Sequence, residues 1–287
     1  MLTEVTLGMV LGALAWGFLV EPKVIDETDD LVSLPGLAPV WEGQKVAFIS
    51  DIQVGMLFAN TGTARRMVDR LVDEPPAAVL LGGDFVYSED PDPASQISTV
   101  LDIVRPLTEA GIPTFAVIGN HDIEVEVADE LERRMAGIGI EVLRNEAAAL
   151  PPPGDPDGAP LHIVGLGSHV GDRDHPAQAL DDVPDAQPRI VFMHNPRSFP
   201  ELPPGTAPLA VAGHTHGGQV RVPFLPEWSY LSLRRDPDVP VDGWADDYGK
   251  PGNRLYVSRG VGFSLIPFRL NCPPELTTFT LASERAR

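Results

Sequence analysis

Five short apolar runs, rich in Val, Ile, Leu, Ala and Phe and flanked by turn-forming residues, punctuate the chain between residues 45 and 213. Their length and composition predict buried strands. KVAFIS runs into Asp51, AAVLLGG into Asp84, and TFAVIG into Asn120 and His121; further on, RIVFM runs into His194 and PLAVAG into His214 and His216. Each run therefore ends in a polar residue. Between them the spacing predicts helices: residues 63–74 place Met67, Val68, Leu71 and Val72 on one face, with Asn60 or Thr61 as N-cap, and residues 94–110 and 124–136 read similarly. Alternating strands and helices favour a layered α/β domain, in which ligands bind outside the carboxyl ends of the strands.

The amino-terminal stretch follows a different pattern. Residues 5–20, VTLGMVLGALAWGFLV, are uncharged and apolar. As a helix they would span about 24 Å, short of the roughly 30 Å hydrocarbon core of a bilayer. A membrane anchor or interfacial helix over residues 1–22 is expected, against the alternative of a helix packed on the domain's own surface. Glu4 stands where a secretory signal carries basic residues, and no small-x-small cleavage site precedes Glu21. Residues 23–44 read as a linker and 45–287 as one domain. The Pro- and Gly-rich stretch 151–160 reads as an exposed loop inside it. The expected location is membrane-associated, with cytoplasmic as the alternative.

Composition narrows the function classes. The chain has 287 residues, 43% of them hydrophobic and 22% charged, which is the balance of a globular protein. Its formal net charge of −20 repels polyanions, so non-specific nucleic-acid binding is not expected. Small phosphate substrates stay possible where metals reverse the local field. The single cysteine, Cys272, excludes an intrachain disulfide and a thiolate metal cluster, and reads as a packing residue.

The polar strand ends fall in the order Asp51-Ile52-Gln53, Gly82-Gly83-Asp84, Gly119-Asn120-His121-Asp122, His194-Asn195-Pro196 and Gly213-His214-Thr215-His216-Gly217-Gly218. Taken singly, a GGD or GNHD is equally well a turn with an Asx hydrogen bond. The last motif is more specific: two imidazoles two residues apart project to one side of an extended segment, and the flanking glycines allow close backbone approach to a ligand.

In combination these motifs resemble the calcineurin-like metallophosphoesterase superfamily, over about residues 45–222. The carboxyl-terminal run from Tyr256 to Gly260, with Pro273-Pro274-Glu275-Leu276, resembles the bacterial and archaeal branch that often carries an N-terminal membrane segment. The resemblance implies a four-layer α/β/β/α sandwich of two facing β-sheets flanked by helices. It implies two divalent metal ions, with Mn²⁺ favoured and Fe or Zn²⁺ as alternatives, in keeping with oxygen and imidazole donors. Asp51, Asp84 and His216 would hold one, Asp84, Asn120, His194 and His214 the other. Such a pair acidifies a bridging water and neutralises phosphoryl charge. His121 would protonate the leaving oxygen or stabilise the transition state, with Asp122 orienting its imidazole.

Two departures from the family pattern stand out. Gln53 occupies the place of a histidine, and its amide oxygen would favour manganese over zinc; loss of a ligand is the alternative. Gly165-Leu166-Gly167-Ser168-His169 lacks the acidic residue that relatives of the branch often show after this strand. Arg259 could contact a substrate phosphate, or could form a structural salt bridge. His162, His169 and His175 lie outside the motifs and read as surface or packing residues. Trp228, Tyr230, Trp244 and Tyr248 could floor a pocket or cover a sheet edge. The leading function is hydrolysis of a small phosphoester, a phosphodiester or phosphomonoester such as a nucleotide or lipid head group. The competing reading is a catalytically silent metal-binding or scaffold protein of the same fold.

Overall fold

The computed structural model describes residues 2–90, 92–171, 173–222, 225–229 and 238–284. The chain forms fourteen strands among these residues: β1 (Asp26–Leu34), β2 (Lys45–Ile49), β3 (Ala78–Leu81), β4 (Thr114–Ala116), β5 (Glu141–Val142), β6 (Glu146–Leu150), β7 (Leu161–Gly165), β8 (Arg189–Met193), β9 (Ala210–Ala212), β10 (Arg221–Val222), β11 (Leu225–Ser229), β12 (Gly243–Ala245), β13 (Leu255–Val257) and β14 (Glu275–Ser283). The α-helices are α1 (Leu2–Ala15), α2 (Thr61–Asp73), α3 (Pro93–Glu109), α4 (Asn120–Glu124), α5 (Ala128–Ala136) and α6 (Pro176–Leu180). One six-stranded sheet has the order β1-β14-β2-β3-β4-β5, the other β12-β13-β9-β8-β7-β6. Both are mixed: β2 to β5 run parallel, as do β7, β8, β9 and β13, while β14 is antiparallel to β2 and β6 to β7.

The apolar runs lack a polar face because both faces of each sheet are covered. Val46 and Phe48 of β2 pack between the sheets against Ile163, Ile190, Phe192 and Val211. Their alternates Ala47 and Ile49 pack outward against Met67, Val68 and Leu71 of α2 and Val100 and Val104 of α3. On the far side Val191, Met193 and Ala212 lie under Ala179 of α6, Phe199 of the 3₁₀ segment Pro196–Glu201, and Leu202 just after it. The expected α/β/β/α sandwich is therefore present, with a thin fourth layer.

The amino-terminal expectations need correction. No helix among the described residues is long and apolar enough to cross a membrane. The α-helix ends at Ala15 and widens into a π-helical segment over Trp16–Val20. The break falls where the backbone meets the domain: a Cβ on Gly17 would lie 2.2 Å from the Phe268 ring. Residues beyond it belong to the domain. Gly17 O accepts the Arg269 N–H, Glu21 Oε1 accepts the Cys272 N–H, and Pro22 O accepts from Asn60 and Thr63. Nor is 23–44 a linker, since β1 adds to the sheet edge in parallel register with β14, Asp26 opposite Glu275. Asn60 precedes α2 as expected, but its side-chain amide holds Pro22 and Val261 rather than capping the helix.

Candidate metal centre

At the carboxyl ends of β2, β3 and β9 the chain leaves each strand and bends sharply. Asp51 (φ 58°), Gln53 (φ 49°), Asp84 (φ 53°), His214 (φ 71°) and His216 (φ 50°) all adopt the left-handed region. A side chain held there costs roughly 1–3 kcal/mol, and persists only where the surroundings over-determine it. Here the bends are tied to one another. Asp51 N–H donates to Gly83 O, Gln53 N–H to Asp84 O, and Val261 and Gly262 N–H to Ser50 O and Asp51 O. Close approach demands glycine at two points: a Cβ on Gly119 would lie 2.1 Å from Asp84 Oδ1, and one on Gly260 2.6 Å from Asp51 Oδ2.

These bends bring the sequence-predicted ligands together. Asp84, His194 and His214 place one donor atom each within 4.8 Å of one another. His194 Nε2 lies 3.1 Å from Asp84 Oδ2, 3.1 Å from His214 Nδ1 and 3.2 Å from Asn120 Oδ1. On the other side of Asp84, the Gln53 amide nitrogen lies 3.4 Å from the same Oδ2 and 3.2 Å from His216 Nε2, which is 3.6 Å from Asp51 Oδ1. Asp84 Oδ2 thus faces both groups. Its Oδ1 accepts the His121 N–H at 2.9 Å, and the His194 Nδ1–H donates to Gly82 O at 2.8 Å, which leaves Nε2 as the ligating atom.

The electrostatics are those of a site built for cations. Burial favours the neutral form of Asp84, but the charge and hydrogen bond of His194, with His121 and His214 beyond, hold its carboxyl well below the usual carboxylate range. Burial pulls His194 down, yet Asp84 outweighs it and lifts the imidazole to about 9. Asp51 is raised, by burial and by the Asp84 charge, against the opposing pull of His194. Without cations, then, the charged His194 imidazole is the chief countercharge of the buried Asp84 carboxylate. Gln53 Oε1 is buried with no hydrogen-bond partner among the described residues. The two ends of an amide are interchangeable by a flip, so the carbonyl oxygen can be turned to where the nitrogen lies, between Asp84 and His216. The oxygen and imidazole donors fit two divalent cations such as Mn²⁺, Fe or Zn²⁺.

Two expected roles do not match the geometry. Asp122 does not face the His121 imidazole: its Oδ1 accepts the N–H groups of Phe85 and Val86, and its Oδ2 that of Gly119, all at 2.9 Å. It ties the turn after Asp84 to the turn before Asn120, and burial together with the Asp84 charge pushes it up to about 6. The Arg259 guanidinium is held by Glu275 (3.1 Å) and Asp26 (2.5 Å), so the structural salt bridge and not a phosphate contact accounts for it.

Three residues contribute that sequence reasoning missed. Glu124 Oε2 lies 3.8 Å from His121 Nδ1, and the Tyr87 ring stacks on that imidazole with centroids 4.8 Å apart. Glu124 sits three residues on from His121, a helical spacing that could have flagged it. Arg269 is fully buried and donates to the carbonyls of Arg259, Gly260, Gly262 and Cys272, bracing the loop that wraps Asp51. A lone arginine inside the apolar run SLIPFRL was its one signal. Of the aromatics, Trp244 packs edge-on against Tyr256 and Phe279 under Arg254, and Tyr248 stacks on Phe199. They cover a sheet and do not floor a pocket; Tyr230 and the Trp228 side chain lie outside the described residues.

Comparison with known proteins decides the family. A family model for calcineurin-like phosphoesterases matches residues 44–218. The chain belongs to the calcineurin-like phosphoesterases. Among relatives in this family, it is 32% identical to Phosphodiesterase YaeI of Escherichia coli over 242 residues, covering 83% of the chain and 82% of that protein. It is 25% identical to the metallophosphoesterase YkuE of Bacillus subtilis, covering 95% and 91%. UDP-2,3-diacylglucosamine pyrophosphatase LpxG of Chlamydia trachomatis is 22% identical, covering 91% and 90%. As a calcineurin-like phosphoesterase the chain is a phosphoric ester hydrolase, and its buried cluster of carboxylate, amide and imidazole groups stands where a dinuclear metal centre of that family would be.

Proposed function

We propose that the protein hydrolyses a small phosphodiester at a centre in which Asp51, Gln53, Asp84 and His216 hold one cation and Asp84, Asn120, His194 and His214 the other. The observation carrying this reading is the placement of Asp84 Oδ2 between Gln53 on one side and His194 on the other, the position of a bridging carboxylate. Two divalent cations there would supply positive charge against the phosphoryl oxygens and lower the pKa of a water between them.

The chain's own groups supply the rest. His121 stands at the mouth with its side chain a quarter exposed, steadied by Glu124 and Tyr87. As water adds to phosphorus and the bond to the leaving oxygen breaks, His121 would donate its proton to that oxygen. Asp122 holds the backbone on which His121 and Asp84 ride, and is a positioning residue. A silent scaffold would have no need of a proton donor poised beside the ligands.

The finer reading is a preference for Mn²⁺ or Fe over Zn²⁺, supported by the neutral oxygen that Gln53 can offer. A nucleotide-linked or lipid-linked diester is the substrate class, supported by the likeness to a phosphodiesterase and to a pyrophosphatase of a lipid-linked UDP sugar. Attachment to a membrane would run through α1, along which Leu7, Met9, Val10, Leu11 and Leu14 are all exposed. Turnover of bis(p-nitrophenyl) phosphate by full-length protein loaded with each metal in turn tests the reading. Activity with manganese exceeding that with zinc is expected; no turnover with any of the metals would refute it.

A further inference from the structure

A cavity of about 310 Å³ opens beside the metal centre where the ends of β4 and β7 meet, between Ile118 and Ile123, which flank the Asn120-His121 turn, and Gly167-Ser168. Gly167 and Ser168 follow β7, the neighbour of the strand that delivers His194, so the cavity adjoins the Asn120 and His194 side of the centre. Its polar wall is made by Arg144, Arg173, His175, Asn145, Ser168 and Gln178, and no carboxylate among the described residues lines it. That contrasts with the balance of the chain, which has 41 acidic and 21 basic residues. Two larger cavities carry Glu141 and Asp155 in one case, and Glu27, Asp29, Asp73 and Glu74 in the other.

The two arginines are not equivalent. Arg144 is matched by Glu132 at 2.7 Å and Asp129 at 2.9 Å. Arg173 is exposed, and no carboxylate among the described residues lies in ion-pair reach of it; the neighbouring Asp174 is turned away to His169 and Ser198. The loop that carries Arg173 is held in place. Asn145, itself in a left-handed conformation (φ 60°), accepts the N–H groups of Gly167 and His175 and donates to Arg173 O. One amide side chain thus pins both ends of the segment that presents Arg173 and His175. The same segment begins at Gly167-Ser168, which carries no acid. A carboxylate there would cancel the charge that the cavity offers.

We propose that this cavity is a subsite for a second anionic group of the substrate, a phosphate adjoining the one that is cleaved, with Arg173 as its chief contact. The inference rests on the phosphoesterase reading and narrows it: the substrate is a pyrophosphate-type diester more readily than a simple one. A guanidinium presents a planar fork of donors that matches phosphate oxygens, and Ser168 and His175 add hydrogen-bond capacity at the same wall.

Calorimetric binding of ADP-ribose to the metal-loaded full chain is the test, alongside the KM for bis(p-nitrophenyl) phosphate, which has no second anionic group. Arg173→Ala should weaken ADP-ribose binding about tenfold or more, the size of one lost charge-assisted hydrogen bond, and Arg173→Lys should recover part of it. The KM for bis(p-nitrophenyl) phosphate should stay within about twofold of the wild type. Wild-type protein that does not bind ADP-ribose, unchanged binding by Arg173→Ala, or equal losses on both compounds would overturn the subsite. Binding with the expected Arg173 dependence, but no hydrolysis of either compound, would sink the phosphoesterase reading and leave the subsite standing.

Discussion

Glu124 Oε2 lies 3.8 Å from His121 Nδ1, one turn further along the same short helix. The contact sets beside the proposed proton donor a carboxylate that is itself half exposed, and so a weak partner. His121→Ala should keep its metals and lose roughly 10² to 10⁴ in turnover, the range for a positioned acid. The loss should shrink for nitrophenyl substrates, whose leaving oxygen needs no proton. Glu124→Gln should cost less than about tenfold. A Glu124→Gln variant as slow as His121→Ala would show that the pair acts as a unit.

Asp122→Asn should act differently, because each of its oxygens accepts backbone N–H groups and an amide can satisfy only one side. The turns carrying Asp84 and Asn120 would then separate. Loss of metal content together with a lowered melting temperature is expected, where His121→Ala loses rate alone. Metal analysis of the purified variant distinguishes them; full metal content with a catalytic defect would return Asp122 to the orienting role.

Gln53 sets the metal preference in this account. Gln53→Ala should weaken the cation shared by Asp51 and His216 and slow turnover, while Gln53→His should stay active and move the preference toward zinc. Rates with defined metals read this out. Unchanged occupancy and rate in Gln53→Ala would mean the amide is no ligand.

Metal uptake should release protons. In the metal-free site His194 titrates near 9, so below that pH its imidazole is charged and must lose a proton before it can ligate. Metal affinity should therefore fall as pH drops below 9, by up to about tenfold per unit from this group. The sign reverses for the stability of the metal-free protein. A folded-state value raised above the ordinary 6.5 stabilises fully below about pH 6.5, and that contribution is lost as pH rises through 9. Titration calorimetry in buffers of different ionisation enthalpy measures the proton count, and a count of zero at pH 7 would contradict the geometry.

The amino-terminal segment should divide at residue 15. Glu21 is buried and accepts from Cys272 N–H and Trp16 Nε1, so Glu21→Ala should cost about 1–3 kcal/mol. Deleting residues 1–15 should leave the melting temperature near that of the full chain, whereas deleting 1–22 also removes the Pro22 carbonyl from Asn60 and Thr63 and should lower it clearly. Equal melting temperatures for the two truncations would place the boundary where the hydrophobic run ends.

The strands that deliver the ligands were legible because each is an apolar run stopped by a polar residue, and the order of those stops is specific. β1 was not. Its sequence, DETDDLVSL, is mostly acidic over the first five residues, and only Val32 and Leu34 near its end reach the core. What makes it a strand is parallel pairing with β14 some 250 residues away, which local pattern does not carry. The residues that cluster at the strand ends were readable, but the groups around them were not. Whether Asp122 faces an imidazole or three backbone N–H groups depends on how two turns meet, and the ion pairs that claim Arg259 come from Asp26 and Glu275, far apart in the chain. The break at Gly17 likewise follows from contact with Phe268 and not from local composition.

Metal stoichiometry and phosphodiesterase activity of the full-length protein and its Asp84→Ala variant test the central claim most directly. Asp84 Oδ2 faces both halves of the site, so its removal should cost both cations and abolish turnover, while the wild type holds two per chain. An Asp84→Ala protein that folds, keeps two equivalents of metal and hydrolyses bis(p-nitrophenyl) phosphate at the wild-type rate would contradict the assignment of this cluster as the catalytic centre.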